Sequence, residues 1–257
     1  MKAIRLHALW DPKPDFKIGS KDIEGKVAWL GSKVWKYPEV KVEEIPKPEI
    51  RKSTEVLIKV RACGICGSDV HMAQADENGY IYYPGLTGFP ATLGHEFSGE
   101  VVEARPEAIN RRNNQPFEIG EPVTSEEMLW CGYCRHCADG YPNHCENLHE
   151  LGFDVDGAFA EYIVVDAKYL WSLKELEQDY SGEKLFLAGS LAEPTSVAYN
   201  AVIERGGGIR PGDNVVIFGG GPIGLAACAI LKKAGGARVI LSEPSEVRRN
   251  MAKELGV

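Results

Sequence analysis

The 257-residue chain sets 29 Lys and Arg against 37 Asp and Glu, a net charge of -8, and is 44% hydrophobic and 26% charged with no low-complexity tract. That balance belongs to a globular protein of one large domain or two. It excludes a nucleic-acid or anionic-membrane surface, because an acidic chain repels phosphates and no basic patch interrupts the pattern.

Residues 1–7 carry charges and no continuous apolar stretch of the secretory kind, so the expected location is the cytoplasm. Pro12, Pro14, Pro38, Pro46 and Pro48 divide the first 60 or so residues and predict short strands. Residues 56–62 mix β-branched with charged side chains as a partly buried strand does, and 97–104 read the same way. β structure is predicted to dominate up to about residue 170, with loops at 74–90 and 105–120. From Leu185 the texture becomes Ala-rich and helical through 196–203, and Gly206, Gly207 and Gly208 stop it. A domain boundary is expected near Val197, giving domains of 1–197 and 198–257. Asn214–Phe218 is a nearly unbroken apolar run, which predicts a parallel strand covered on both faces. A glycine turn, a helix from about Ile223 to Ala234, a strand at 237–241 and a helix at 245–255 follow. The longest uncharged apolar stretch, 215–231, contains Gly219, Gly220, Gly221, Pro222 and Gly224, so it reads as strand, turn and helix rather than a membrane span.

Seven cysteines is an odd number, and in a reducing compartment metal binding explains them better than disulfides. Cys131, Cys134, Cys137 and Cys145 are spaced C-x2-C-x2-C-x7-C. Thiolates so spaced can converge on one tetrahedral zinc at about 2.3 Å, and a complete four-thiolate shell leaves no place for substrate, so this metal is structural. Without metal the four thiols would be oxidation liabilities. His136 and His144 lie inside the loop and are expected to face solvent. A nucleic-acid-binding zinc ribbon is disfavoured, since Arg135 and Asp139 are the loop's only charges.

A second set is less complete. Cys66-Gly67-Ser68-Asp69-Val70-His71, Gly94-His95-Glu96 and Glu193 supply soft and borderline ligands beside proton carriers. Cys66, His95 and one carboxylate would make a three-ligand zinc with an open position, the catalytic arrangement. Spacing alone is weak support, because a lone Cys or His is more often a packed core residue. Gly219-x-Gly221-x-x-Gly224 directly follows a strand and opens a helix, and Glu243 ends the next strand. The first glycine permits the turn, the second lets a pyrophosphate approach the backbone and the third lets helix and strand close up. Glu243 can accept both ribose hydroxyls and repel a 2′-phosphate, which favours NAD over NADP.

The Cys-Gly-Ser-Asp-x-His run, the Gly-His-Glu triplet, the four-cysteine loop and the glycine turn, in this order, resemble the zinc-dependent medium-chain alcohol dehydrogenases over nearly the whole chain. Glu193-Pro194 and the turn Gly221-Pro222-Ile223-Gly224 are similar to the polyol and threonine dehydrogenase branch, nearest to enzymes acting on inositol-derived ketones. The resemblance implies an α/β protein with a β-rich part: a GroES-like catalytic domain followed by an incomplete Rossmann doubly wound parallel sheet. It implies two zinc ions per intact chain and NAD held by Gly219, Gly221, Pro222, Ile223, Gly224, Glu243 and Arg248.

Cys66 and His95 are then direct ligands of the catalytic zinc, and Glu96 binds it directly or through water. Glu193 stands where ethanol-type enzymes have a ligand cysteine, so the fourth ligand stays open. Asp69 corresponds to a carboxylate orienting the histidine ligand, and Ser68 and His71 to a relay carrying the substrate proton to solvent. Cys63 and Cys228 are expected as packed small hydrophobes, while His7 and His149 have no evident partners. The implied reaction is hydride transfer between a secondary alcohol, a polyol or cyclitol, and NAD, in a homodimer or homotetramer. Amino-alcohol oxidation of the L-threonine type and an inactive zinc-binding fragment are the alternatives. A dinucleotide domain has about six strands, and the sequence supplies two, so residues 1–257 are expected to be a truncated piece, insoluble or inactive when made alone.

Overall fold

The computed structural model describes residues 1–236 and 238–257. The chain divides into two compact units, Met1–Ser190 and Leu191–Val257. The division precedes the expected position at Val197 because the helix containing Val197 begins at Ala192 and packs on a helix of the second unit.

In the first unit Lys2–Trp10 (β1) and Trp35–Glu44 (β2) are long antiparallel strands, not the short ones that the prolines predict. Pro38 is tolerated because β2 is the outer strand of its sheet. It also falls at the irregularity between the His7–Glu39 and Leu9–Lys36 pairs, where the ladder needs no N–H. Glu55–Gly64 (β3) leads into a short helix, Gly67–Ala73 (α1); Ala91–Thr92 (β4) pairs with β1, and Glu96–Ala104 (β5) with β3. Inside the expected loop at 105–120, Ile109–Asn110 (β6) and Gln115–Pro116 (β7) form a small hairpin. Pro122–Ser125 (β8) joins β5. Met128–Leu129 (β9) and His149–Glu150 (β10) pair across the base of the cysteine loop, which carries the one-turn helix Arg135–Ala138 (α2). Tyr162–Asp166 (β11) and Leu170–Ser172 (β12) complete an antiparallel sheet of order β11-β3-β5-β8-β12, and Glu183–Ser190 (α3) packs on β3 and β5.

Alternating side chains of this sheet, among them Val56, Ile58, Phe97, Val101, Val123 and Ile163, close the main core. Each such burial contributes about 1.5–3 kcal/mol. A second cluster lies under the β1–β2 ribbon, where Trp35 meets Trp10 and Phe89 edge-on, each at 5.1 Å between ring centroids. Met72 of α1 and Phe153 belong to it, so the second cluster anchors two segments that flank the candidate site.

In the second unit Ala192–Tyr199 (α4) continues as a wider helical turn through Arg205, where the glycines stop it as expected. Asn214–Phe218 (β13), Pro222–Lys233 (α5), Arg238–Ser242 (β14) and Glu246–Glu254 (α6) follow. β13 and β14 pair in parallel from Asn214–Arg238 to Phe218–Ser242; Ala237, the expected start of the second strand, lies outside the described residues. The expectation that β13 is covered on both faces does not hold. Val215, Ile217, Val239 and Leu241 pack with Cys228 and Leu231 of α5, whereas Val216, Ile240 and Phe218, the last 84% accessible, face away. Among the described residues no helix is long and apolar enough to cross a membrane.

Candidate functional site

Strand pairing builds the first ligand cluster. β3 and β5 are antiparallel, and their last aligned residues are Gly64 and Glu96. Cys66 lies just past the end of one strand and His95 just before the start of the other, so the two meet at one end of the ladder. Cys66 also caps α1: its N–H donates to Asp69 Oδ2 at 2.9 Å. Gly94 N–H donates to Asp69 Oδ1 at 3.3 Å. The buried Asp69 thus ties together the two main-chain segments that carry Cys66 and His95. Its oxygens accept main-chain N–H groups, and His95 Nδ1 has no hydrogen-bond partner. Gly94 is required where it stands: its φ is +89°, and a Cβ would lie 2.5 Å from the Phe159 ring.

Among the described residues, two groups bring ligand atoms within 4.8 Å of one another: Cys66, His95 and Glu96, and the four loop cysteines. His95 is 4% exposed, and burial lowers its imidazole to about 4, which keeps it neutral as a metal ligand must be. Burial raises Cys66 and Glu96. A neutral histidine with an orphaned ring nitrogen, beside a thiol and a carboxylate, fits a zinc ion with room for a further ligand. Glu193, at the start of α4, belongs to the second unit. Ser68 and His71 lie three apart on α1; the Ser68 hydroxyl is buried without a partner and His71 is exposed. Cys63 stays outside the ligand group and packs against the main core.

The loop cysteines form a closed set. Sγ–Sγ distances are 4.0 Å for Cys131–Cys137 and 3.9 Å for Cys134–Cys145. Main-chain N–H groups point at the sulfurs: Cys134 to Cys131 at 3.3 Å, Cys131 to Cys145 at 3.2 Å and Asn147 to Cys145 at 3.3 Å. Burial opposes ionisation of Cys131, but the N–H groups of Tyr133 and Cys134 prevail and hold its thiol down to about 6. Such a nest of donors around thiolates fits zinc. His136 and His144 are exposed, as expected. The other histidines do have partners, contrary to expectation: His7 Nε2 lies 2.8 Å from Glu43 and His149 Nδ1 2.5 Å from Asp154. The second pairing, across a five-residue turn, was open to a sequence search for nearby carboxylates.

The glycine turn sits between β13 and α5. Gly219 has φ +95° and its N–H donates to Ser242 O at 2.9 Å; a Cβ on Gly224 would lie 1.9 Å from Gly219 O, so helix and turn close up only on glycine. Nothing lies within 4 Å of where side chains would stand on Gly219 and Gly221. Pro222 opens α5, and Ile223 beside it is exposed. Glu243, past the end of β14, accepts N–H bonds from Gly220 at 2.6 Å and Ser245 at 2.7 Å. The Ser245 and Gly220 donors, joined by Arg248 and Arg249, hold its carboxyl below the ordinary range. Arg248 reaches Glu243 at 3.8 Å, whereas Arg249 donates to the Glu243 and Pro244 carbonyls. A carboxylate has about four acceptor positions, so two remain for a diol. With the open cradle at the start of α5, these residues fit a dinucleotide.

The profile of the alcohol dehydrogenase GroES-like domain matches residues 52–175. Over 256 residues the chain is 79% identical to scyllo-inosose 3-dehydrogenase of Thermotoga maritima, a match covering 100% of this chain and 65% of that protein. Identity to L-threonine 3-dehydrogenase of Pyrococcus furiosus is 37% over 214 residues, 83% of this chain and 55% of the relative. Among solved structures, a Thermotoga maritima chain assigned to the alcohol dehydrogenases superposes with a TM-score of 0.97 at 78% identity, covering 100% of this chain and 65% of that one. Galactitol-1-phosphate dehydrogenase of Escherichia coli gives 0.70 at 28% identity, covering 100% and 60%. The chain therefore spans less than two thirds of the length of each.

Proposed function

The chain belongs to the zinc-dependent medium-chain alcohol dehydrogenases, and from that premise we propose that the protein transfers hydride between a secondary alcohol carbon of a cyclitol or other polyol and NAD. The observation that carries this reading is the incomplete ligand set Cys66, His95 and Glu96 in a chain 79% identical to a dehydrogenase of an inositol-derived ketone. Cys66, His95 and Glu96 would hold the catalytic zinc, with Glu193 as a further candidate ligand. Cys131, Cys134, Cys137 and Cys145 would hold a second, structural ion. Bound at the first set, zinc supplies Lewis acidity that lets an alcohol oxygen give up its proton near neutral pH. NAD, when bound, accepts the hydride.

The protein's own part is positioning and proton transfer. The unpartnered Ser68 hydroxyl would take the substrate proton and pass it to His71, whose exposure on the same face of α1 opens the path to solvent. Gly219, Gly221 and Gly224 with Pro222 and Ile223 would cradle the pyrophosphate. Glu243 would bind the ribose diol and disfavour NADP, with Arg248 at the adenosine side. In domain terms, Met1–Ser190 would form the GroES-like zinc domain and Leu191–Val257 would belong to a Rossmann NAD-binding domain. We place the enzyme in the cytoplasm as a homo-oligomer, a dimer or tetramer.

Zinc-loaded protein assayed in parallel with inositols, sorbitol and L-threonine tests the reading: NAD reduction should be fastest with a cyclitol. Oxidation of L-threonine alone would instead establish the second reading, which the 37% identity to L-threonine 3-dehydrogenase favours.

A further inference from the structure

Beyond the motif residues, the segment between α1 and β4 brings an aromatic side chain to the first ligand set. Tyr83 N–H donates to the His71 carbonyl at 3.2 Å, fixing its main chain to α1. Its ring meets Phe153 at 5.1 Å between centroids, and Phe153 in turn meets the His95 imidazole at 5.0 Å. Gly85 backs the ring so closely that a Cβ there would come 3.0 Å from the Tyr83 Cε1 and hydroxyl. Burial, and then the negative charges of Glu150, Glu127 and Cys66, raise the phenol above its ordinary value.

Glu150 enters from β10, where it pairs with Met128 of β9. Its carboxyl is pushed up to about 7 by burial and by Asp154, and no hydrogen bond contributes to the shift of either Glu150 or Tyr83. The buried side-chain atoms without partners among the described residues are Ser68 Oγ, Thr87 Oγ1 and His95 Nδ1. Among the described residues neither the Tyr83 hydroxyl nor the Glu150 carboxyl has a hydrogen-bond partner, and the Glu150 carbonyl accepts the Phe153 N–H at 3.1 Å, so Glu150 and Phe153 share one turn.

We propose that Tyr83 and Glu150 form a hydroxyl-recognising subsite beside Cys66, His95 and Glu96, binding ring hydroxyls of a polyhydroxylated substrate other than the one oxidised. The proposal rests on the polyol reading above and adds the residues that select for it. A cyclitol brings several hydroxyls to the site, and each needs a partner once water is displaced. Tyr83 supplies a donor and acceptor, and Glu150 an acceptor. A monohydric alcohol of the same ring size would leave both protein groups unsatisfied, and a site built to bond a substrate hydroxyl rejects analogues lacking it.

The test is calorimetric titration of myo-inositol and of cyclohexanol into the zinc-loaded protein and its Tyr83→Phe, Glu150→Met and Glu150→Gln variants, with zinc content measured on each. Tyr83→Phe should weaken myo-inositol about three- to tenfold, the equivalent of one neutral hydrogen bond. Glu150→Met should weaken it about tenfold or more, and Glu150→Gln, which keeps an acceptor, should restore part of the loss. Cyclohexanol should bind all forms alike. Unchanged myo-inositol affinity in Tyr83→Phe and Glu150→Met overturns the subsite. Parallel loss of cyclohexanol binding, or loss of zinc, also overturns it by showing a merely structural role. If the unaltered protein does not bind myo-inositol at all, the polyol reading itself falls, and the subsite with it.

Discussion

Replacing Cys134 with serine should cost the protein one of its two proposed zinc ions and spare the other. For zinc–sulfur bonds of about 2.3 Å, tetrahedral geometry places the sulfurs about 3.8 Å apart. The Cys131–Cys137 and Cys134–Cys145 separations of 4.0 and 3.9 Å lie within a few tenths of an ångström of that value. Serine is a poor zinc ligand at neutral pH, and Cys134 is buried, so water does not easily replace the lost sulfur. A structural zinc site is worth about 10–16 kcal/mol, so one ligand of four carries on the order of 3–4 kcal/mol. That is two to three decades in Kd, about 10² to 10³-fold. Competition against a chromophoric chelator, with metal content measured on the same samples, reads this directly. A Cys134→Ser protein that keeps both ions at chelator concentrations the parent survives would refute the four-thiolate reasoning.

Four further outcomes follow from the geometry. Gly224→Ala sets a Cβ against the Gly219 carbonyl at 1.9 Å, and overpacking of about 1–3 kcal/mol should weaken NAD about tenfold or more; fluorescence titration with unchanged affinity would contradict the close-packed turn. Glu243→Ala removes the acceptor of the Gly220 and Ser245 N–H groups and should weaken NAD while relaxing discrimination against NADP; a parent enzyme with higher kcat/KM for NADP would show the carboxylate argument to be wrong. His71→Ala should slow turnover most in dilute buffer and recover partly with small added bases, whereas loss of zinc from this variant would make His71 a ligand. Glu150, raised from 4.5 to about 7, keeps its proton in the folded state while the unfolded chain has released it, so the unfolding free energy should fall as pH rises through that interval and Glu150→Gln should flatten the slope; denaturant titrations giving equal slopes would overturn the assignment.

Short-range chemistry was legible in the sequence because its meaning is local. The loop cysteines are held by turns of two and seven residues, and the glycine turn needs only a strand before it and a helix after it. Contacts made through strand pairing were not legible. Tyr83 and Phe153 reach the His95 neighbourhood from two separate segments, and no spacing in the sequence announces their meeting. The oxygens of Asp69 accept main-chain N–H groups, which every residue but proline offers and which no residue type can signal. Prolines misled at the amino end, since their cost depends on whether a strand is central or at the edge. In the apolar run at 214–218 the residue types are alike on both faces, and among the described residues α5 packs on one of them.

The first ligand set is therefore a consequence of the core as much as of its own motif. Cys66 and His95 converge because β3 and β5 end their ladder at Gly64 and Glu96. That register is set by which residues point inward, with Val56 and Ile58 on one strand and Phe97 and Val101 on the other. A one-residue slip would turn those side chains out of the core, at about 1.5–3 kcal/mol each, and would separate the thiol from the imidazole in the same step. The irregularities between Leu57 and Ile58 and between Val60 and Ala62 absorb extra residues along the pairing without shifting its end. Asp69 then fixes the last residues on both sides, one N–H bond to each. Metal geometry here is held by burial energy distributed over the sheet, so the ligands can keep an unfilled position without the site collapsing around it.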